Sequence, residues 1–192
     1  MQIKYNITKR TVKPQYIVIH DTQNKNKGAD ADAHFNYYNT GNRNSSADVF
    51  VDDAKILKIN DYHTYYTWHC GDGKGKYGIS NANSVGVEIC VNSDGDYDKA
   101  VKNAVVAVRQ LMSELYIPVD RVVRHYDASR KNCPASMSAN DWESWKKFKD
   151  LLINDYAFVQ AKAGLEDKTM EYLQNYTYGG FLIKKLADAM RG

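Results

Sequence analysis

Two histidines and a cysteine occupy positions from which an α/β protein could gather them around a metal ion. His20 ends the apolar run 16–20, His125 follows the short stretch 121–124, and Cys133 comes eight residues later. Catalytic zinc sites use three protein ligands of this kind and keep a fourth position for water. The triad therefore predicts a hydrolytic zinc site, while the spacing alone is equally compatible with surface histidines and an unused thiol.

Two charged residues close to this triad could assist hydrolysis. Glu88 interrupts the apolar segment 84–91. A carboxylate buried without a partner is costly, so it pairs, takes up a proton or acts as a general base beside a metal. Lys131 lies two residues before Cys133 and could stabilise an oxyanion. The alternatives are a Glu88 that points outwards from an edge strand and a Lys131 that is an ordinary solvated side chain.

The other histidines carry weaker indications of function. His69 precedes a loop with four glycines over residues 71–78, and such a loop lets a polymer approach the backbone closely. A purely structural role for His69 is the alternative. His34 falls on a predicted helix, where we expect it to be packed or at the surface, and His63 has no distinctive neighbours.

Hydrophobic periodicity predicts the elements that would position these side chains. β-branched runs predict buried strands at 16–20 and 84–91. Apolar residues at helical spacing predict a long helix over 98–116. Further strands are expected at 47–51, 55–59, 64–69 and 121–124, and further helices at 29–38, 142–153, 167–176 and 181–190. Because strands alternate with helices, we expect the α/β class, with a central mixed sheet flanked by helices.

Length and composition limit the classes of protein to consider. The 192 residues, 43% of them hydrophobic, suit one main domain, which we place at 1–154, followed by a small helical segment at 155–192. The net charge of +3 is not concentrated in a basic run, which argues against nucleic acid as a partner. No apolar stretch is long enough to span a membrane. Without a secretory signal at the N-terminus, the chain is expected to be made in the cytoplasm, and its three cysteines to be unpaired.

Five segments together resemble a known family. They are YIVIHDT, SSADVFVDD, TWHCGDG, NSVGVEICVN and RHYDASRKNCP. In order and rough spacing, over about residues 10–150, they are similar to motifs of the zinc amidases that include phage endolysins and peptidoglycan recognition proteins. The resemblance implies that family's fold, one Zn²⁺ ion, and N-acetylmuramoyl-L-alanine amidase activity. Such enzymes hydrolyse the amide between the lactyl group of muramic acid and the first alanine of the stem peptide.

The resemblance also implies roles for individual residues. The metal ligands fall on His20, His125 and Cys133. The catalytic glutamate of the family falls on Glu88 and the catalytic lysine on Lys131. A third position, that of a histidine expected to contact substrate or the transition state, falls on His69.

One motif departs from the family pattern. Ala47 and Asp48 stand where relatives usually carry an aromatic residue and a histidine. In some relatives a tyrosine at the position of Ala47 assists catalysis. That catalytic contribution is missing here. We therefore expect Glu88 and Lys131 to contribute more to catalysis, or the substrate preference to differ.

The resemblance points to a biological setting as well. A phage or prophage endolysin, or an autolysin, would act on the peptidoglycan of a Gram-positive wall after release from the cytoplasm by a holin or by lysis. Segment 155–192 would then target the wall or mediate self-association, with the oligomeric state left open. Two alternatives are a non-catalytic peptidoglycan-binding module, whose known examples lack the cysteine found here at Cys133, and a cytoplasmic amidase that recycles muropeptides.

Overall fold

A five-stranded mixed sheet forms the centre of the protein. We describe residues 1–191 in a computed structural model. The strands are β1 (Ile7–Lys9), β2 (Tyr16–Asp21), β3 (Val49–Val51), β4 (Ile56–Lys58), β5 (Tyr65–Thr67), β6 (Ser84–Ile89) and β7 (Val122–Arg124). The central sheet has the order β4-β3-β6-β2-β7, and β1 pairs with β5 in a separate two-stranded ribbon. The predicted α/β class with a mixed sheet is confirmed.

The register of the sheet brings the chemically interesting strand ends to one edge. β2 and β6 run parallel, with His20 opposite Glu88. β7 pairs in parallel with the other side of β2, and β3 pairs in parallel with the other side of β6. Only β4 runs antiparallel, as the return strand of a hairpin with β3. Because parallel strands end at the same edge of a sheet, the residues that follow them can share one site.

The two longest strands are buried on both faces, which explains their apolar sequences. In β2, Ile17, Val18 and Ile19 are fully buried, and in β6 Val85 and Val87 are too. Parallel strands covered on both sides have this near-continuous apolar character. A charged side chain within β6 is therefore exceptional and requires a specific environment.

Helices cover the sheet. They are α1 (Ala31–Asn39), α2 (Tyr97–Leu115), α3 (His125–Ser129), α4 (Ala139–Ile153), α5 (Asp155–Ala163), α6 (Asp167–Asn175) and α7 (Gly179–Arg191). Helix α2 is amphipathic, and its buried residues, which include Val105, Val108 and Leu111, belong to the main core. The Asp96 side chain caps this helix by accepting a hydrogen bond from the backbone N–H of Lys99. No helix among the described residues has the length and apolar character needed to cross a membrane.

The three C-terminal helices pack on the rest of the protein. Phe158 and Val159 in α5 and Ile183 in α7 are buried in the same cluster as the sheet and α2. Arg109 of α2 donates a hydrogen bond to Asp155 at 2.7 Å, and its guanidinium lies 3.9 Å from the centre of the Phe158 ring. Side chains on both sides of residue 154 thus share one core, and the division into domains at 1–154 and 155–192 stays a prediction.

Several element boundaries differ from the sequence prediction. Residues 126–134, expected to be a loop, begin as the short helix α3. Helix α5 was not expected, because its apolar residues show no clear helical period. They are buried by packing against α2. Gly179 and Gly180, expected to separate two helices, form the first turn of α7. Glycine often ends a helix by adopting a positive φ, and neither of these two glycines does so. The packing of α7 therefore outweighs the preference of glycine for helix ends.

Candidate metal centre

Three predicted ligands meet at the edge where the parallel strands end. His20 lies near the end of β2, His125 directly follows β7, and Cys133 lies in the loop after α3. All three are almost completely buried, with exposures of 2%, 3% and 2%. Because β7 is the neighbour of β2, the two histidines are adjacent although they lie far apart in the chain.

The donor atoms of this triad have the separations that a small cation requires. One candidate donor atom from each residue lies within 4.8 Å of the others. Cys133 Sγ is 3.7 Å from His20 Nδ1, and the buried His125 Nδ1 has no hydrogen-bond partner within residues 1–191. Ligands of a tetrahedral zinc ion lie roughly 3.3–3.8 Å apart, given its bond lengths of about 2.0–2.3 Å. The two nitrogens and one sulphur therefore fit zinc in their chemistry, and the separation between Cys133 and His20 is that of two ligands of one ion.

A chain of hydrogen bonds fixes the orientation of His20. His20 Nε2 lies 3.0 Å from His69 Nδ1, and His69 Nε2 lies 3.1 Å from Ser84 Oγ. The Ser84 hydroxyl in turn donates to the backbone carbonyl of Ser80 at 2.5 Å. This series of hydrogen bonds ends on the carbonyl of Ser80, which can only accept. The His20 ring and the His69 ring therefore both donate from Nε2. His20 Nδ1 is left as an unprotonated ligand atom aimed at Cys133.

A carboxylate orients the second histidine. His125 Nε2 lies 2.7 Å from Asp72 Oδ1, so that Nδ1 turns towards the other ligands. Such carboxylate–histidine pairs hold the ring in place and make it a better ligand. Burial lowers the pKa of His125 and lowers that of His20 further, and both rings are therefore neutral, as metal ligation requires. Burial raises the pKa of the Cys133 thiol, so a cation is needed to stabilise the thiolate.

Glu88 faces the triad from the neighbouring strand. Its Oε1 lies 3.9 Å from His20 Nδ1, while Oε2 is buried and has no hydrogen-bond partner in the part of the chain that the structure describes. Burial and the nearby Asp21 carboxylate raise the pKa of Glu88 to about 8, against the opposing effect of Lys131. β6 is an internal strand of the sheet, so the alternative that Glu88 points outwards from an edge strand is wrong.

A pocket of about 160 Å³ opens over these side chains. Lys131 is exposed at its margin, and its positive charge lowers the pKa of both His20 and His125. A cation at this place can interact with negative charge that develops on a substrate in the pocket. The pocket wall is formed by the triad and Glu88 together with Asp21, Thr22, Gln23, His34, Tyr38, Ser45, Ser46, Phe50, His69 and Lys131.

Comparison with known proteins identifies the family. The family model described as N-acetylmuramoyl-L-alanine amidase matches residues 10–136, more than half of the chain. The chain belongs to the N-acetylmuramoyl-L-alanine amidase family. It is 42% identical over 135 residues to the amidase CwlH of Bacillus subtilis, an alignment that covers 69% of this chain and 51% of CwlH. For the amidase XlyA of the same species the identity is 40% over 136 residues, covering 69% and 43%. The chain thus spans about half the length of these curated relatives.

Solved structures of the same family have the same fold. The catalytic domain of XlyA superposes with a TM-score of 0.66 at 34% identity, covering 79% of this chain and 99% of that domain. The structure of PlyL gives a TM-score of 0.67 at 36% identity, covering 80% of this chain and 97% of PlyL. The matched part of this chain therefore corresponds to a complete catalytic domain of this amidase family.

His69 occupies a different environment from the one that its predicted role implies. It is 8% exposed, and both its ring nitrogens lie within hydrogen-bond distance of protein atoms. Burial lowers its pKa to about 3, so the ring is neutral. The structure thus places His69 as a support for His20 at the wall of the pocket, and its contact with substrate stays a prediction.

The departure at Ala47 and Asp48 is accommodated within the core. Asp48 is fully buried and accepts hydrogen bonds from Asn60 Nδ2 at 2.6 Å, Thr67 Oγ1 at 2.8 Å and the backbone N–H of Gly86 at 2.7 Å. Ala47 is buried in a smaller apolar cluster. Neither residue lines the metal pocket. Where relatives are expected to carry a histidine, Asp48 connects β5 and β6 with the loop that follows β4.

Sequence reasoning missed the residues that support the ligands. Asp72 and Ser84 contact His125 and His69 from positions far away in the chain. Asp72 belongs to the glycine-rich loop 71–78. Its neighbour Gly73 must be a glycine, because a Cβ there would lie 2.1 Å from the carbonyl oxygen of Ala128. The acidic residue within a GDG sequence was the available signal, but no local pattern connects it to a histidine more than 50 residues later.

Proposed function

We propose that this protein is a zinc-dependent N-acetylmuramoyl-L-alanine amidase that hydrolyses the amide between muramic acid and the L-alanine of the stem peptide. The observation that carries the proposal is the convergence of donor atoms of His20, His125 and Cys133 within 4.8 Å, beside the buried carboxylate of Glu88. Family membership supports the same activity. The chain spans about half the length of its curated relatives, so the proposal concerns the activity of residues 10–136 in particular.

The residues around the pocket have separate roles in hydrolysis. Zinc, when bound by His20, His125 and Cys133, would polarise the scissile carbonyl and lower the pKa of a water molecule. Glu88, buried beside the ligands, takes the proton from the attacking water and passes it to the leaving amine. The Lys131 ammonium stabilises the negative charge on the carbonyl oxygen. His69 and Asp72 act indirectly, by holding the two histidines in position.

We further propose that the substrate is the peptidoglycan of a Gram-positive cell wall and that the protein is an endolysin or autolysin that acts there after release from the cell. The similarity to amidases of Bacillus subtilis supports this choice of wall. One zinc ion per chain is the expected cofactor.

Mass spectrometry of digested peptidoglycan tests the proposal directly. We expect new products with a free N-terminal L-alanine and intact glycan strands, and no such products from the Glu88→Ala protein, which should retain its zinc. Lys131→Ala should retain zinc and lose part of the rate. Binding to walls without release of peptide would indicate a non-catalytic module, and cleavage of soluble muropeptides alone would indicate a recycling enzyme. The first result would contradict the proposed amidase activity, and the second would contradict the proposal that the protein is an endolysin or autolysin.

A further inference from the structure

Asp21 is a buried carboxylate to which the proposed hydrolysis assigns no role. It directly follows His20 at the end of β2 and is only 5% exposed. Its Oδ1 is buried and has no hydrogen-bond partner among residues 1–191, so the carboxylate is anchored through Oδ2 alone. A buried carboxylate with so few partners is costly, and its presence indicates a specific role.

The side chain of Asp21 lies on the opposite face of the sheet from the ring of His20. Successive side chains of a strand point to opposite faces, so these two neighbours diverge. The apolar residues of β2 that share the face of Asp21 are buried in the core against α2; they are Ile17 and Ile19. On this side Asp21 borders a separate cavity of about 620 Å³, together with Tyr97 of α2 and Ser136. The carboxylate is not among the donor groups that converge on the metal centre.

The carboxylate holds the loop that carries Cys133. Asp21 Oδ2 accepts a hydrogen bond from the backbone N–H of Ser136 at 2.6 Å, three residues after the cysteine. The Ser136 hydroxyl lies 2.6 Å from the hydroxyl of Tyr97, the first residue of α2. A hydrogen bond to a carboxylate is about twice as strong as one between neutral groups. The loop after Cys133 is therefore anchored to β2 and to α2, and more strongly to β2.

The backbone of Asp21 contacts the thiol itself. The N–H of the next residue, Thr22, bonds to β6, so the N–H of Asp21 points to the other side, towards β7. The pairing of β7 with β2 ends at Ile19, so this N–H lies beyond the last residue pair. It donates to Cys133 Sγ instead. Burial raises the pKa of the Cys133 thiol, and this hydrogen bond offsets part of that effect because it favours the thiolate.

We propose that Asp21 is a positioning residue for the sulphur ligand of the metal centre. Its N–H contacts Cys133 Sγ directly, and its carboxylate fixes the following loop through Ser136. Because Asp21 is also bonded to His20, it sets the distance between two ligands that are 113 residues apart in the chain. A loop that is already held in place loses less conformational entropy when an ion binds. This inference rests on the metal site of the proposed function, and adds a residue that contacts neither metal nor substrate.

Metal binding by the full chain tests this role. Competition with a chromogenic chelator measures the zinc affinity, and the near-ultraviolet charge-transfer band of the cobalt(II) protein reports the bond between metal and thiolate. We expect Asp21→Ala to bind zinc about 10- to 100-fold more weakly and to show a weakened cobalt–thiolate band. Asp21→Asn keeps an acceptor for the Ser136 N–H and should restore most of both signals. Asp21→Leu removes the acceptor without leaving a cavity and should behave like Asp21→Ala.

Two comparisons make the result specific to Cys133. Asp94 also accepts a hydrogen bond from a backbone N–H, that of Gly28 at 2.9 Å, at an exposed position away from the ligands. Asp94→Ala should therefore keep the wild-type affinity and cobalt band. In a Cys133→Ala background, Asp21→Leu should cause little further loss of affinity, because its effect passes through the missing sulphur. Thermal unfolding of the metal-free proteins verifies that each variant is folded.

The outcomes separate this role from the proposed function. A wild-type zinc affinity and cobalt band in folded Asp21→Leu would overturn the role, and a lower Tm alone would then mark Asp21 as a structural residue. An undiminished further loss of affinity in the Cys133→Ala background would overturn it too, since Asp21 would then act through His20. In both cases the wild-type protein still binds metal, and the amidase proposal stands. A wild-type protein that binds neither zinc nor cobalt would contradict the metal site, and the positioning role with it.

Discussion

At the scale of single residues, Asp72 shows how a side chain outside the ligand set can determine metal affinity. It orients His125 through the 2.7 Å hydrogen bond to Nε2. We expect Asp72→Ala to weaken zinc binding about 10- to 100-fold, as is usual when a ligand histidine loses its carboxylate partner. Competition with a chromogenic chelator measures the affinity. Asp98→Ala, at an exposed position on α2, should leave it unchanged, and equal affinities for both variants would contradict this role.

Gly86 is required for the position of His69. A Cβ at Gly86 would lie 2.6 Å from Cγ of the His69 ring, within a fully buried strand. We expect Gly86→Ala to lower the free energy of unfolding by about 1–3 kcal/mol, since neither the strand nor the ring can yield easily. It should also weaken zinc binding by displacing the support of His20. Gly41→Ala, where a Cβ would meet nothing closer than 3.9 Å, is the matched control. Chemical denaturation with and without zinc compares the two variants.

The two histidines of the triad stand at the ends of strands, where α/β proteins collect functional groups, but their spacing from Cys133 left other readings open. The resemblance of five segments to amidase motifs is what predicted the triad as metal ligands. Their supporting residues could not be predicted. The contact between His69 and Ser84 depends on the packing of a loop against β6, and the contact between Asp72 and His125 connects residues 53 positions apart. Hydrophobic periodicity carries no information about such pairs.

At the scale of elements, the docking of α5 on α2 can be tested with two phenylalanines. Phe158 is 1% exposed in the main core, whereas Phe181 in α7 is 66% exposed. We expect Phe158→Ala to lower the free energy of unfolding by about 3–5 kcal/mol and Phe181→Ala to change it by less than about 0.5 kcal/mol. Denaturant titration measures both. Similar small effects for the two variants would mean that the C-terminal helices contribute little to the core.

Elements with a strong local period were predicted well, and elements that depend on distant partners were not. The strands β2 and β6 and the helix α2 have continuous or regularly spaced apolar residues, and their predicted positions agree with the structure to within a few residues. Strand β1 has three residues and is stabilised by pairing with β5. Helix α3 has five residues and is held by the Arg124–Asp127 pair. Unlike the other three-residue strands, β1 has a single apolar residue, Ile7, and α3 is too short to show a helical period.

At the scale of the whole molecule, zinc should connect parts of the fold that are distant in the chain. His20 and Cys133 are 113 residues apart. A ligand that binds only the folded state at 1,000 times its Kd stabilises it by about 4 kcal/mol. For a protein of this size we expect removal of zinc by a chelator to lower the Tm by about 8–16 °C. Scanning calorimetry measures the shift. Cys133→Ser, deprived of one strong ligand, should respond much less, and an equal response would show that the chelated metal lies elsewhere.

The strand order β4-β3-β6-β2-β7 also has a consequence for biosynthesis. Strand β2 leaves the ribosome early, yet both of its neighbours are made later, β6 after some 60 further residues and β7 after about 100. A nascent chain therefore carries an apolar β2 without its neighbours in the sheet until β6 and then β7 have been made, and contacts across such sequence distances form slowly. The metal ligands come together last, once Cys133 has emerged. Incomplete chains should consequently be inactive, and should depend on chaperones that shield exposed strand edges.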